Sequence, residues 1–340
     1  MRIASFAGAV AATAAACLFA TNVSAMELRY NRWLPPTHHL DNRVLKPYFD
    51  KIAEVTDGRV TVTFTSSSLG GLERQHELAV MGIADVALVS ESVTPGQFPL
   101  AEIVEMPGIG EDNEAVSVAY WRTYERFFEE KNPYPDVHLL TLATLPPYHI
   151  YNAERPVESI EDMEGLKIRA AGVLASEKVR ALGGTVVPAQ VTQFLELISK
   201  GVIDGCYFTD DGVYVFGFLD TLKYKTQFKG GLGGLSISLV MNKAKWDQIS
   251  PEDQAAITTI SGEELARKIG VSYNQSIAEA QAAISKAGIE TTVADDAFMA
   301  EVRERLAPLE DEWIAKANKL GVDGAAALNM LRTEAQNYTE

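Results

Sequence analysis

One short pattern is written once in each half of this 340-residue chain, and it constrains the fold more than any other feature. Each copy reads helix, glycine, two apolar residues, aspartate, apolar strand. The first is Gly82-Ile83-Ala84-Asp85 before Val86-Ala87-Leu88-Val89, and the second is Gly201-Val202-Ile203-Asp204-Gly205. The glycine suits the left-handed position that closes a helix. Upstream of the first copy, Val60, Val62 and Phe64 alternate with Thr61, Thr63 and Thr65, a strand with one buried face. Leu69-Gly70-Gly71 then turns the chain into a helix over 72–81. Strand, helix, strand requires a crossover and therefore parallel pairing. Upstream of the second copy, Gly165 to Arg169 reads as a strand, and Val191, Phe194, Leu195 and Ile198 mark a helix ending at Gly201. The repetition predicts two α/β lobes built on a similar plan.

The remaining elements follow the same punctuation. A strand runs from Leu28 to Trp33. Val44, Leu45, Tyr48, Ile52 and Val55 recur at helical spacing, with Pro47 set to start or kink that helix. Ser159, with Asp162 three residues on, caps a short helix before Gly165. Ser250-Pro251-Glu252-Asp253 is a helix start, with a cap, a proline in the first turn and acids beside the amide ends. From Glu252 to Lys286 the chain is Ala-rich and free of proline, and Leu265, Ile269 and Tyr273 share one face. That stretch predicts one long helix able to span two lobes. Further helical segments lie between Ala307 and Tyr338, broken at Gly321-Val322-Asp323-Gly324. Gly230-Gly231-Leu232-Gly233-Gly234 lacks the Lys-Ser/Thr ending of a phosphate loop and reads as a flexible connection between strands.

Arg2 is the only charge in the first 25 residues, an apolar run follows it, and Val23-Ser24-Ala25 is a small-x-small cleavage signature. This predicts a secretory leader over 1–25, with the mature chain beginning near Met26. The mature chain keeps one cysteine, Cys206, so it has no internal disulfide. The net charge is −16, or −17 without Arg2. Such an acidic surface argues against nucleic acid and anionic membrane as partners. An anionic ligand would need a local positive pocket within that field.

Nothing in the sequence specifies a reaction. The histidines His38, His39, His76, His138 and His149 form no His-Glu-x-x-His arrangement, and the cysteines cannot build a zinc site. No Gly-x-Ser-x-Gly elbow occurs. The reading therefore includes no catalytic residue, no metal and no cofactor.

Binding is left, and here the sequence resembles a known family. Val157-Glu158-Ser159-Ile160-Glu161-Asp162-Met163-Glu164-Gly165-Leu166-Lys167-Ile168-Arg169 is similar to the signature of the solute-binding subunits of TRAP transporters, the tripartite ATP-independent periplasmic family. Other matching stretches keep that family's order: Leu69 to Arg74, Met81 to Asp85, Glu105 to Ile109, Gly201 to Gly205, and Asn242-Lys243-Ala244-Lys245-Trp246. The resemblance implies a periplasmic-binding-protein-like α/β fold, with two lobes joined by hinge strands and a long helix spanning both. Lobe I would take 26–146 plus 235–274. Lobe II and the C-terminal helices would take 147–234 plus 275–340.

The resemblance also makes Arg169 the anchor for a ligand carboxylate. A guanidinium fork matches a carboxylate bidentately, and a charged hydrogen bond contributes about 1.5–3 kcal/mol. His149 stands where family pockets often carry a second basic residue. After Asp204-Gly205 many members carry an acidic residue and an asparagine. This chain has Cys206-Tyr207-Phe208-Thr209-Asp210-Asp211 instead, so the usual asparagine contact does not carry over. Tyr207 and Phe208 would suit an apolar or aromatic body on the acid. Asp210 or Asp211 would instead meet an ammonium or hydroxyl groups. Trp33, His38, Ser67 and Glu91 follow strands of the first lobe, and ligands of open α/β sheets sit beyond the carboxyl ends of strands.

The expected function is capture of a small organic acid, a carboxylate or alternatively a sulfonate, by hinge closure in the periplasm. The acid would pass to integral permease subunits driven by an ion gradient. The alternatives are a periplasmic sensing module presenting its ligand to a receptor, and an exported hydrolase or lyase on the same scaffold.

Overall fold

A computed structural model describes residues 25–94 and 96–339. The expected leader over 1–25 lies, but for its last residue, outside the described residues. The chain forms two sheets. The first contains β1 (Met26–Tyr30), β2 (Val60–Phe64), β3 (Val86–Ser90), β4 (Val137–Thr144) and β10 (Ser236–Asn242), in the order β2-β1-β3-β10-β4. The second contains β5 (His149–Asn152), β6 (Lys167–Ala170), β7 (Thr185–Pro188), β8 (Gly205–Phe208), β9 (Tyr224–Gln227) and β11 (Glu290–Val293), in the order β11-β9-β5-β8-β6-β7.

The two sheets are one design used twice. In each, three parallel strands lie together at one edge (β1, β2, β3 and β6, β7, β8), and a strand from elsewhere in the chain runs antiparallel beside them. The repeated sequence pattern explains why. The Asp85 amide donates to the Arg29 carbonyl, and an Asp85 carboxylate oxygen accepts the Arg29 amide at 2.9 Å. Asp204 does the same to Lys167, its amide meeting the Lys167 carbonyl and its carboxylate accepting the Lys167 amide at 2.8 Å. Each aspartate fixes a parallel strand pair at its entry. The glycines before them have φ of +67° at Gly82 and +66° at Gly201, the left-handed turn that the pattern requires.

Two segments cross between the sheets. Residues 145–148 lead from β4 to β5, and residues 228–235 lead from β9 back to β10. They hydrogen-bond to one another: Leu145 N–H to the Leu235 carbonyl at 2.8 Å and Tyr148 N–H to the Gly233 carbonyl at 3.1 Å. The glycine cluster serves this close approach. A Cβ on Gly231 would sit 2.2 Å from Pro147 Cβ, and one on Gly234 would sit 2.1 Å from the Leu145 carbonyl oxygen.

The helices differ from expectation in one place. Helix Pro251–Thr259 starts as the sequence predicts, with the Ser250 hydroxyl accepting the Asp253 amide. It does not continue to Lys286. Gly262, at φ +59°, breaks the run, and a second helix spans Gly262–Lys286. Leu265, Ile269 and Tyr273 of that helix are buried in the core beneath the first sheet, whereas Ile284 is buried in the core of the second. Helix Asp296–Lys319 changes partner in the same way. Phe298 and Val302 pack in the second core, while Trp313 and Ala317 pack against the first sheet's other face. No helix of the described residues is long and apolar enough to cross a membrane.

Candidate functional site

A cleft of about 710 Å³ opens between the lobes, and the carboxyl ends of strands from both sheets point into it. The first lobe supplies Trp33 and His38 after β1 and Ser90 at the end of β3. The second supplies Arg169 and the turn after it from β6, Pro188 to Val191 after β7, and Phe208, Thr209 and Asp211 at the end of β8. Tyr148 reaches in from a crossing segment and Tyr273 from the helix that joins both cores.

Arg169 is the dominant charge of the cleft. It is 3% exposed, and its Nε donates to the Ala189 carbonyl at 2.9 Å, which fixes the guanidinium plane. The Phe208 ring lies below it, with Cζ 5.4 Å from the ring centroid. Among the described residues no carboxylate comes within ion-pair distance of it. Burial pulls its pKa down from the ordinary arginine value. A buried cation without a counter-ion is costly, and an arriving anion removes that cost.

The aromatic walls follow from strand geometry. Successive residues of a strand point to opposite faces. Phe208 faces the cleft. Tyr207 points away, is 1% exposed, and donates its hydroxyl to the Leu232 carbonyl at 3.0 Å. Trp33 is fixed by its indole N–H on the Leu88 carbonyl at 3.0 Å, presenting its ring to the cleft. The walls are completed by Tyr148, Tyr273 and Phe216.

The other residues singled out in the sequence scatter. His38 lines the cleft; burial pushes its pKa down to about 4, so it is neutral. Its Nδ1 accepts the Leu40 amide at 3.2 Å. His149 does not line the cleft. It is buried behind it, its Nδ1 accepts the Phe228 amide at 3.3 Å, and burial lowers its pKa to about 4. Ser67 is exposed and outside the cleft. Glu91 is buried outside it as well, accepts the Tyr134 hydroxyl at 3.1 Å, and is raised above the usual carboxylate range by burial.

Asp210 and Asp211 part company. Asp210 is consumed by the protein: Lys225 at 2.7 Å, the Tyr151 hydroxyl and the Gln281 amide all bind it. Burial alone would raise its carboxyl, but the Lys225 ammonium and the hydrogen bonds from Lys225 and Tyr151 hold it below the ordinary range. Asp211 lines the cleft, and its Oδ1 is buried without a hydrogen bond. Burial pushes its carboxyl up to about 6. Sequence reasoning missed Tyr148 and Tyr273 as cleft residues. Tyr148 sits next to the chosen His149, so the error is one residue of strand direction.

The arrangement presents one buried cation, Arg169, one buried acid, Asp211, and aromatic walls, with the exposed Arg180 and Glu73 at the rim. Among the described residues no group of three or more His, Cys, Asp or Glu side chains could hold a metal ion.

Comparison with known proteins agrees with the geometry. The family model described as bacterial extracellular solute-binding protein, family 7, matches residues 31–317. A TRAP periplasmic solute-binding protein from Bordetella bronchiseptica, solved with (R)- and (S)-mandelate bound, is 32% identical with a TM-score of 0.86, covering 92% of this chain and 99% of that one. A marine-metagenome TRAP solute-binding protein specific for aromatic acid ligands, solved with 3-hydroxybenzoate, is 25% identical with a TM-score of 0.84, covering 93% and 99%. The Comamonas testosteroni protein TsaT, described as an outer membrane transporter protein, is 30% identical over 330 residues, 96% of each chain.

Proposed function

The chain belongs to the bacterial extracellular solute-binding proteins of family 7, and from that premise we propose that it captures a small aromatic carboxylate in the periplasm for a TRAP permease. The observation that carries the ligand class is Arg169, a buried guanidinium facing an aromatic cleft with no protein carboxylate to pair with. The ligand carboxylate takes the free edge of the fork. Phe208, Trp33, Tyr148 and Tyr273 enclose the ring. The solved relatives that hold mandelate and 3-hydroxybenzoate support this reading. A sulfonate presents the same guanidinium with similar oxygens and is the second acid group to try.

Capture proceeds by hinge closure. An acid that touches both lobes stabilises the closed arrangement in proportion to its extra contacts there. The closed face is then what the integral permease subunits recognise. The cycle contains no covalent step, so the acid leaves unchanged. His149, Tyr207, Ser67 and Glu91 have no direct part in this scheme; they support the walls or lie outside them.

The test is a thermal-shift and calorimetric panel on purified mature protein. It contains benzoate, mandelate, 3-hydroxybenzoate, benzenesulfonate, succinate and glucuronate. The aromatic acids should raise Tm and the aliphatic diacid and sugar acid should not. Arg169→Ala should lose the response to every acid. A variant that keeps wild-type affinity would refute the anchor, and product appearing in the ligand pool would refute a binding-only role.

A further inference from the structure

We propose that Asp211 reads a hydroxyl group on the ligand, so that the cleft selects hydroxylated aromatic acids over their unhydroxylated parents. This rests on the reading that Arg169 anchors the carboxylate, and it adds a second polar contact to that site.

The case begins with an unanswered acid. Asp211 is 5% exposed, lines the cleft and leaves Oδ1 without a hydrogen bond. Its surroundings offer no charge to neutralise it. From the first lobe, His39 Nε2 lies 4.0 Å from Oδ2 and makes no hydrogen bond of its own. The other nitrogen of that ring is engaged with Ser272 Oγ at 2.8 Å. Burial, with the nearby His38 and Arg43, lowers the His39 pKa to about 3, so the ring is neutral. Tyr273 on the joining helix and Tyr148 on the crossing segment line the same cleft. The adjacent Asp210 is occupied by Lys225. Among the described residues no lysine or arginine pairs with Asp211.

The cleft therefore holds a buried cation and a buried acid; among the described residues neither pairs with an opposite charge, and Oδ1 of the acid has no hydrogen bond. A carboxylate answers the cation. The acid calls for a group that hydrogen-bonds with it after that carboxylate has arrived. Burial already places the Asp211 carboxyl at about 6. A second negative charge brought into the same cleft raises it further, because like charges disfavour ionisation. The protonated form that this favours has one O–H to donate and acceptor oxygens to spare. A hydroxyl group is its match, since it also donates and accepts. An ammonium is a poorer match: it brings donors and no acceptor, and it needs an ionised partner.

A trio of close isosteres tests this by calorimetry at neutral pH: mandelate, phenylacetate and phenylglycine, which carry hydroxyl, hydrogen and ammonium at one carbon. Wild-type protein should bind mandelate at least tenfold more tightly than phenylacetate, and phenylglycine most weakly. Asp211→Ala should bring mandelate to the level of phenylacetate without weakening phenylacetate. Asp211→Asn, which keeps a donor and an acceptor at the same place, should retain the preference. Equal binding of mandelate and phenylacetate by wild-type protein overturns the proposal, as does tightest binding of phenylglycine. Binding of none of the three overturns the carboxylate reading beneath it, and a loss of phenylacetate binding in Arg169→Ala but not in Asp211→Ala keeps the two roles apart.

Discussion

Arg169 and Asn31 occupy equivalent places in the two lobes, each two residues after the position that the repeated aspartate fixes. Asn31 is fully satisfied within the protein, by Gln75 and the Leu69 amide. Among the described residues Arg169 has no ion-pair partner, and that contrast separates a structural residue from one kept for a ligand. A residue that stabilises only the complex should be dispensable for folding. Arg169→Met is therefore expected to leave the Tm of ligand-free protein unchanged or raised, because it removes an uncompensated buried charge, while acid-induced stabilisation disappears. A large fall in ligand-free Tm would mark Arg169 as structural. Asp211 gives the pH version of the same argument. Its folded pKa of about 6 lies above the ordinary aspartate value, so the folded state holds a proton longer than the unfolded state. Stability from this group is then lost as pH rises from near 4 through 6, a cost on the order of 3 kcal/mol. Asp211→Asn should raise ligand-free Tm at pH 7.5, and the gain should vanish below pH 4; a gain that persists there would need another cause. At this scale the sequence was legible only in part. Arg169 came from the family signature. Tyr207 and Phe208 could not both face the cleft, since neighbours on a strand point oppositely. Asp211 could be told from Asp210 only once Lys225, 15 residues on in the sequence, was seen beside the latter.

Caps and glycines carried the elements. Ser250, Asp112, Asp295 and Asp323 each accept a backbone amide at a helix start. Each saves an amide that would otherwise lack a partner, worth about 1 kcal/mol. The aspartates at 85 and 204 are legible for the same reason, since a short polar side chain at a strand entry answers a backbone group. The long helix expected from Glu252 to Lys286 failed because composition hid its break. The stretch is Ala-rich and free of proline, but Ser261-Gly262-Glu263-Glu264 repeats the cap-and-acid grammar of Ser250-Pro251-Glu252-Asp253 and was the signal to read. A Cβ on Gly262 would stand 2.9 Å from the Trp121 ring at a positive φ. Gly262→Ala should cost about 1 kcal/mol or more, measured by denaturant unfolding. Gly233 is the harsher case. Its φ is +85°, and a Cβ would meet the Glu105 carbonyl oxygen at 2.1 Å. Backbone cannot yield as a side-chain tip does, so Gly233→Ala should destabilise by more than about 3 kcal/mol. Soluble, ligand-binding Gly233→Ala protein with unchanged Tm would show that the crossing segment has slack.

The two lobes are joined by two chain crossings and two bridging helices, the joints about which a closing molecule must bend. The chain crosses at 145–148 and 228–235, and the helices Gly262–Lys286 and Asp296–Lys319 bridge the cores. Lys178, buried in the second lobe, donates to the Glu105 carbonyl of the first and to the Leu232 carbonyl of a crossing segment, the latter at 2.8 Å. Burial drives the Lys178 ammonium down and the Glu105 carboxyl up, so this contact sits in a dry pivot rather than in the solvent-facing mouth. Gly230, Gly231 and Gly233 all have positive φ within one crossing segment, where small torsional changes redirect the chain. Motion at such a pivot swings the strand ends that carry Trp33 and His38 toward those that carry Arg169 and Phe208. An acid on Arg169 that also touches the first lobe gains contacts only when the lobes approach. At a hundred times its Kd it should stabilise the protein by about 2.7 kcal/mol, whatever the geometry of binding. Closure makes a separate demand: the radius of gyration from small-angle scattering should fall when wild-type protein is saturated with a tight aromatic acid. Arg169→Ala, given the same acid, should keep the ligand-free value. If the radius stays constant while calorimetry reports saturation, the cleft binds as a preformed site and the permease must recognise the ligand by some signal other than lobe closure.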